Sequence, residues 1–199
     1  QQLADMACER ITAAINRSLE GEKPIKAVLD PYNPSGSTQH LRFMTSKTLR
    51  WDTIGPPPKN HVNWVILDSD WEGEFCRIVE RHPRVIRYTK NHNLGFEVPY
   101  RYGSQVRRYR PDFILQLDDG RGDDDPLNMI VEVKGYRGQD AKDKKATMEN
   151  YWVPGVNNLG TWGRWDFAEL TDVFEMQSDF EKHLQQRLDA IIEPAVGTA

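Results

Sequence analysis

The feature that most constrains this chain is a pair of strand-like runs, residues 109–117 and 128–134, separated by one Asp-rich turn. The first contains Phe113-Ile114-Leu115, and the second is dominated by Met129, Ile130, Val131 and Val133. Short apolar runs bounded by turn residues read as strands, and this turn is short enough for hairpin-like pairing. Side chains alternate across a strand, so Glu132 and Lys134 share one face while Val131 and Val133 point the other way, into a core. A carboxylate and an ammonium on an otherwise apolar strand cost free energy to bury. Asp112 stands at the start of the first run's apolar part, where pairing lets it approach Glu132.

The flanking sequence alternates helix and strand signals. Apolar spacing predicts a helix over 3–20, stopped by Gly21, and short strands over 41–45 and 48–51 around a Ser46-Lys47 turn. Pro56-Pro57-Pro58 is a stiff break, and the pattern changes near residue 60. Beyond it come a strand at 61–67, a helix at 71–81 capped by Asp68-Ser69-Asp70, and strands at 85–90 and 96–101. After the central pair, helices are predicted at 140–151 and 179–192, with a strand at 165–173 between them. The chain therefore reads as an α/β (α+β) protein with an N-terminal region of helix, linker and small β-hairpin over 1–60 and a main domain over 61–199.

Composition narrows the class. Six Trp, seven Tyr and seven Phe supply a real core, which excludes wholesale disorder. No run approaches 18 apolar residues, which excludes a membrane-spanning helix. The chain starts at Gln1 without a charged leader and apolar core, so it reads as a trimmed or partial cytoplasmic chain. Cys8 and Cys76 lie in no CxxC pair, so free thiols are expected rather than a zinc site. The five histidines show no metal-ligand spacing.

The net charge of −4 argues at first sight against nucleic acid as a partner. Residues 118–125, however, hold five Asp against one Arg, so this turn alone carries as much net negative charge as the whole chain. Its spacing does not match a calcium loop, and it reads as a solvated hairpin turn. Arg101, Arg107, Arg108 and Arg110 precede the Asp112 strand with no acid among residues 101–111. Lys134, Arg137, Lys142, Lys144 and Lys145 follow the second strand. A charge run is usually a solvated face; here the two runs flank the carboxylates, and Arg107, Arg108, Arg110, Arg137, Lys142 and Lys145 are candidates for phosphate contact.

Two converging carboxylates form an oxygen site suited to Mg²⁺, a hard ion that keeps several waters. A lysine beside them can position or deprotonate a metal-bound water. Phosphodiester hydrolysis needs that combination: a nucleophile made at neutral pH and charge stabilisation on the phosphoryl oxygens. A further acid comes from the 71–81 helix. Glu72 groups with Phe75, Cys76 and Val79 on the inward stripe, whereas Glu74 groups with Arg77 and Arg81 on a solvated face. The competing readings are a structural cross-strand salt-bridge cluster for Asp112, Glu132 and Lys134 and a helix-dipole partner for Glu72.

Pro111-Asp112 followed by Glu132-Val133-Lys134 resembles the PD-(D/E)XK nuclease motif, with Glu72 matching the acidic residue of the preceding helix. His61-Val62-Asn63-Trp64, Asp68 to Glu72, Leu94 to Tyr100, Glu132 to Arg137 and Val153 to Gly160 are similar to blocks in the C-terminal region of type III restriction enzyme helicase–nuclease subunits. The resemblance covers about residues 36–175. It implies a restriction-endonuclease-like mixed central β-sheet flanked by helices, and Mg²⁺, or Mn²⁺ in its place, held by Asp112, Glu132 and the backbone carbonyl of Val133. It implies Lys134 as the residue that orients or activates the water, DNA as the substrate, and an upstream helicase/ATPase with a methyltransferase subunit as partners. The chain has no GxxxxGK[ST] phosphate loop, so no nucleotide site is expected in it. Two alternatives stand beside a DNA endonuclease: a non-catalytic DNA-docking or assembly module of a helicase, and a repair or RNA nuclease with the same core.

Overall fold

The structure, a computed structural model, describes residue 10 and residues 37–53, 58–102, 104–122, 124–133 and 140–196. Apart from residue 10, the expected helix over 3–20 lies outside these residues, as do Cys8, Lys134 and Arg137.

A four-stranded mixed sheet organises the molecule. Its strands are β3 (Val85–Lys90), β6 (Phe113–Leu117), β7 (Leu127–Val133) and β8 (Arg164–Leu170), in the order β3-β6-β7-β8. β3/β6 and β6/β7 are antiparallel, while β7 and β8 run parallel. The expected hairpin is the β6/β7 pair, with Phe113 opposite Val131 and Leu117 opposite Leu127. A parallel neighbour needs a crossover, and here it is helical: α2 (Ala141–Thr147), a π-helical turn (Met148–Trp152) and α3 (Val153–Leu159). The helix expected over 140–151 extends past Pro154. Proline lacks an N–H for the helical ladder, and a π-turn just before it shifts the hydrogen-bond register, so the helix runs on to Gly160. Gly160, at φ 74°, takes the left-handed cap conformation.

The sheet buries both faces. On the first, α1 (Asp70–Arg81) and α4 (Met176–Val196) pack Phe75, Ile78 and Phe180 against Phe113, Leu115 and Val131. Ser69 caps α1 as its sequence predicts, its Oγ accepting from Glu72 N–H. The second face carries Ile130 and Phe167, covered by Met148 from the crossover and by Val98, Tyr100 and Tyr109 of a separate hairpin. That hairpin is β4 (Val98–Tyr102) and β5 (Gln105–Tyr109). The predicted strand over 109–117 is therefore two elements. Pro111 has no N–H to donate to a ladder, and the chain turns at Arg110-Pro111-Asp112 between the hairpin and the sheet.

Another expectation fails for want of a partner. Residues 41–45 form no strand, and Met44 is almost fully exposed. β1 (Arg50–Asp52) does not fold back on them but pairs antiparallel with β2 (Trp64–Ile66), across the expected boundary at residue 60. Among the described residues, no helix is long and apolar enough to cross a membrane.

The Asp-rich turn is also more ordered than a solvated loop. Asp119 is buried, and Arg164 at the start of β8 grips both Asp119 and Asp125. The turn joins the end of β6 to the start of β7, opposite the sheet end that carries Asp112 and Glu132.

Candidate functional site

Strand register brings the central residues together. One step beyond the Phe113–Val131 pair, Asp112 stands beside Glu132, on the face opposite Phe113 and Val131. The Val133 N–H donates to Asp112 Oδ2 at 2.8 Å, which fixes the orientation of that carboxylate. The Asp112 carbonyl accepts from Asn91 N–H at 2.8 Å, so β3 holds its backbone from the other side. Glu132 is 8% exposed.

The parallel register adds a residue that sequence reasoning missed. Glu169 of β8 lies directly beside Glu132, and its side chain is 8% exposed. Asp112, Glu132 and Glu169 thus form a row across three adjacent strands, which lie about 4.8 Å apart in any sheet. No local signal marks Glu169, because only the long-range pairing of β8 with β7 makes it a neighbour of Glu132.

Tyr109 lies within electrostatic reach of all three carboxylates. It shares a buried cluster with Ile130 and Phe167, the same-face residues two positions before Glu132 and Glu169. Its hydroxyl is buried and has no hydrogen-bond partner among the described residues. Burial first, and then the carboxylates of Glu132, Asp112 and Glu169, push the phenol's pKa up, so it stays protonated and able to donate.

Glu72 is not brought into the row. Its Oε2 accepts from Lys90 Nζ at 2.5 Å and from Asp68 N–H at 2.7 Å. Lys90 is opposite Phe113 in register and so lies on the first face. Lys90 also meets Asp68 at 2.7 Å, and Lys47 pairs with Asp68 from outside. Burial would raise the Asp68 pKa, but hydrogen bonds from Lys47 and Lys90 outweigh it and hold the carboxyl at about 2.

The basic candidates divide. Arg107 stacks on Tyr102, its guanidinium 4.3 Å from the ring centre. Arg108 and Arg110 are exposed on the hairpin side but share Glu97, which meets Arg110 at 2.7 Å and Arg108 at 3.4 Å. The local charge of the hairpin is therefore lower than the 101–111 stretch suggests. Lys142 is exposed on α2. Lys145 sits between Glu149 and Glu169, at 3.8 and 3.7 Å. Trp165 packs edge-on against Trp152, while Trp162 is 41% exposed. Cys76 is a buried free thiol whose pKa burial pushes far up.

The donor set fits a hard cation in kind. Asp112 and Glu132 supply carboxylate oxygens at one end of the sheet, and a buried hydroxyl faces them without a partner. Among the described residues, no three or more Asp, Glu, His or Cys side chains converge on one ion position. Two carboxylates and a carbonyl would leave the remaining positions to water, as Mg²⁺ usually does. No family model, curated protein or solved structure matches the chain.

Proposed function

We propose that this chain is a metal-dependent endonuclease domain of the PD-(D/E)XK type that hydrolyses DNA phosphodiester bonds, as the nuclease part of a type III-like restriction enzyme. The observation that carries the reading is the placement of Asp112 beside Glu132 at one sheet end, with the Val133 N–H on Asp112. A mixed sheet with helices on both faces supports it.

In this reading Asp112, Glu132 and the Val133 carbonyl hold Mg²⁺ or Mn²⁺. The ion supplies an acidified water and charge stabilisation for the phosphoryl oxygens. Lys134, two residues after Glu132 in the sequence, would orient the attacking water or take its proton. Arg107, Arg108 and Arg110 on the hairpin, with Arg137, Lys142 and Lys145 after β7, meet backbone phosphates. Such contacts give affinity and register rather than base specificity. Glu72 serves the site indirectly by holding Lys90 and the start of α1.

Two measurements test this. Calorimetry with MnCl₂ should show binding to wild type and none to Glu132→Ala. With Mg²⁺, wild-type protein should nick plasmid DNA while Asp112→Ala and Lys134→Ala leave it intact. Full cleavage by both variants would remove the assignment. Duplex, single-stranded and branched substrates, with an RNA control, define the target.

A further inference from the structure

Glu169 is an acidic residue on the Glu132 face of the sheet to which the nuclease reading gives no role. Three observations single it out. It stands directly beside Glu132 in the parallel β7/β8 register, with its side chain largely buried. Lys145 on α2 approaches it at 3.7 Å. The Tyr109 hydroxyl, in a residue 94% buried, is without a hydrogen-bond partner among the described residues, and Tyr109 shares a buried cluster with Ile130 and Phe167, two positions before Glu132 and Glu169. A buried hydroxyl without a partner has a hydrogen bond to give, and water is the acceptor that a small polar gap can hold.

We propose that Glu169 is a positioning residue of the divalent-cation site formed by Asp112 and Glu132, holding the ion's water shell together with the Tyr109 hydroxyl, with Lys145 tuning its charge. The inference rests on the reading of Asp112 and Glu132 as metal ligands. Glu169 acts through water rather than as a ligand, because no three carboxylates among the described residues converge on one ion position. Partners beyond the ligands orient them and set affinity, and their loss typically weakens binding 10- to 100-fold. Lys145 works in the opposite sense: its ammonium offsets the negative charge that attracts a cation. Glu169 and Lys145 are therefore coupled in structure but opposed in effect.

That opposition makes the test. Calorimetric titration with MnCl₂ alone is run on wild type, Glu169→Gln, Lys145→Met, Tyr109→Phe and Glu132→Gln, with melting curves of each metal-free protein. The expected result is about tenfold weaker binding for E169Q and about threefold tighter binding for K145M. Y109F, which keeps the packed ring, weakens binding by less than E169Q. Parallel weakening in E169Q and K145M, accompanied by lowered metal-free melting temperatures, would make the pair a plain structural contact and overturn the inference. So would E169Q and K145M both binding within about twofold of wild type while E132Q binds no metal. If wild type and E132Q bind metal equally poorly, the metal-site reading fails first and takes this inference with it.

Discussion

The Glu72–Lys90 pair makes a sharp test of how this structure divides its charges. Lys90 is 6% exposed and the Glu72 side chain 5%, and their charged atoms meet at 2.5 Å. Replacing Lys90 with Met keeps most of the stem and removes the ammonium. Glu72 is then left buried, with the Asp68 N–H still donating to it. Breaking a buried ion pair from one side costs about 3–5 kcal/mol. A domain of this size loses about 2–4 °C of melting temperature per kcal/mol, so K90M should melt about 6–20 °C lower. Asp68 adds little, because its side chain is half exposed and Lys47 remains beside it. Glu72→Gln keeps an oxygen for the Asp68 N–H and leaves Lys90 on Asp68, so its cost should be nearer 1–3 kcal/mol, in the range of about one charged hydrogen bond. The double variant E72Q/K90M removes both charges and should be more stable than K90M alone. Urea unfolding followed by circular dichroism, analysed as a double-mutant cycle, reads the coupling. Additive single effects, or a K90M melting temperature within about 2 °C of wild type, would refute the buried pair. E72Q should also retain Mn²⁺ affinity, because Glu72 lies on the face opposite Asp112 and Glu132; loss of affinity in a folded E72Q would return Glu72 to the metal site.

Two further outcomes follow from other ion pairs. Glu97 holds Arg108 and Arg110, so Glu97→Gln should tighten DNA binding by releasing them. Replacing both arginines with Ala should lower the slope of log affinity against log salt by about two on duplex DNA. A slope unchanged by either substitution would remove the hairpin from the DNA path. Asp166, buried on β8, accepts from His183 at 2.8 Å and from Arg187. Burial pushes its pKa up, but the His183 and Arg187 hydrogen bonds outweigh that and hold it below the ordinary value. A depressed folded pKa contributes stability above the unfolded value of about 3.9 that is lost as pH falls below it. Asp166→Asn should therefore lower the melting temperature at pH 7 and show a shallower loss as pH falls below about 4; an acid limb as steep as wild type's would count against this account.

Local signals carried far along the chain, and non-local ones did not. Ser69 as a cap, β3 at 85–90 and the β6/β7 hairpin are set by neighbouring residues, and all were readable. The pairing of Asp112 with Glu132 followed from one short turn. Glu169 and Lys90 gained their meaning only from strand order. β8 reaches β7 across a crossover of some thirty residues, and Lys90 faces a helix that begins twenty residues earlier. The strand expected over 41–45 fails for the same reason: a strand-like run before a turn supplies no partner for its backbone groups. At Pro111 the error had the opposite sign. The apolar content of 109–117 suggested continuity, and the missing N–H broke it.

The acidity of the chain can also be placed. From Leu127 to Glu132 is five strand steps, about 17 Å along β7, and the Asp-rich turn lies beyond Leu127. The Debye length at physiological salt is about 8 Å, so the turn's charge is screened from the carboxylate row. Arg164 holds Asp119 and Asp125 there, keeping part of that charge fixed at the far end of the sheet. Neutralising the exposed Asp118 and Asp124 together should then change duplex-DNA affinity at about 0.15 M salt by less than removing Arg108 alone, although it alters the net charge by twice as much. Fluorescence anisotropy on a labelled duplex reads both. A larger effect from the two aspartates would mean that DNA runs past the turn, and the row at the other end would lose its claim to the scissile phosphate.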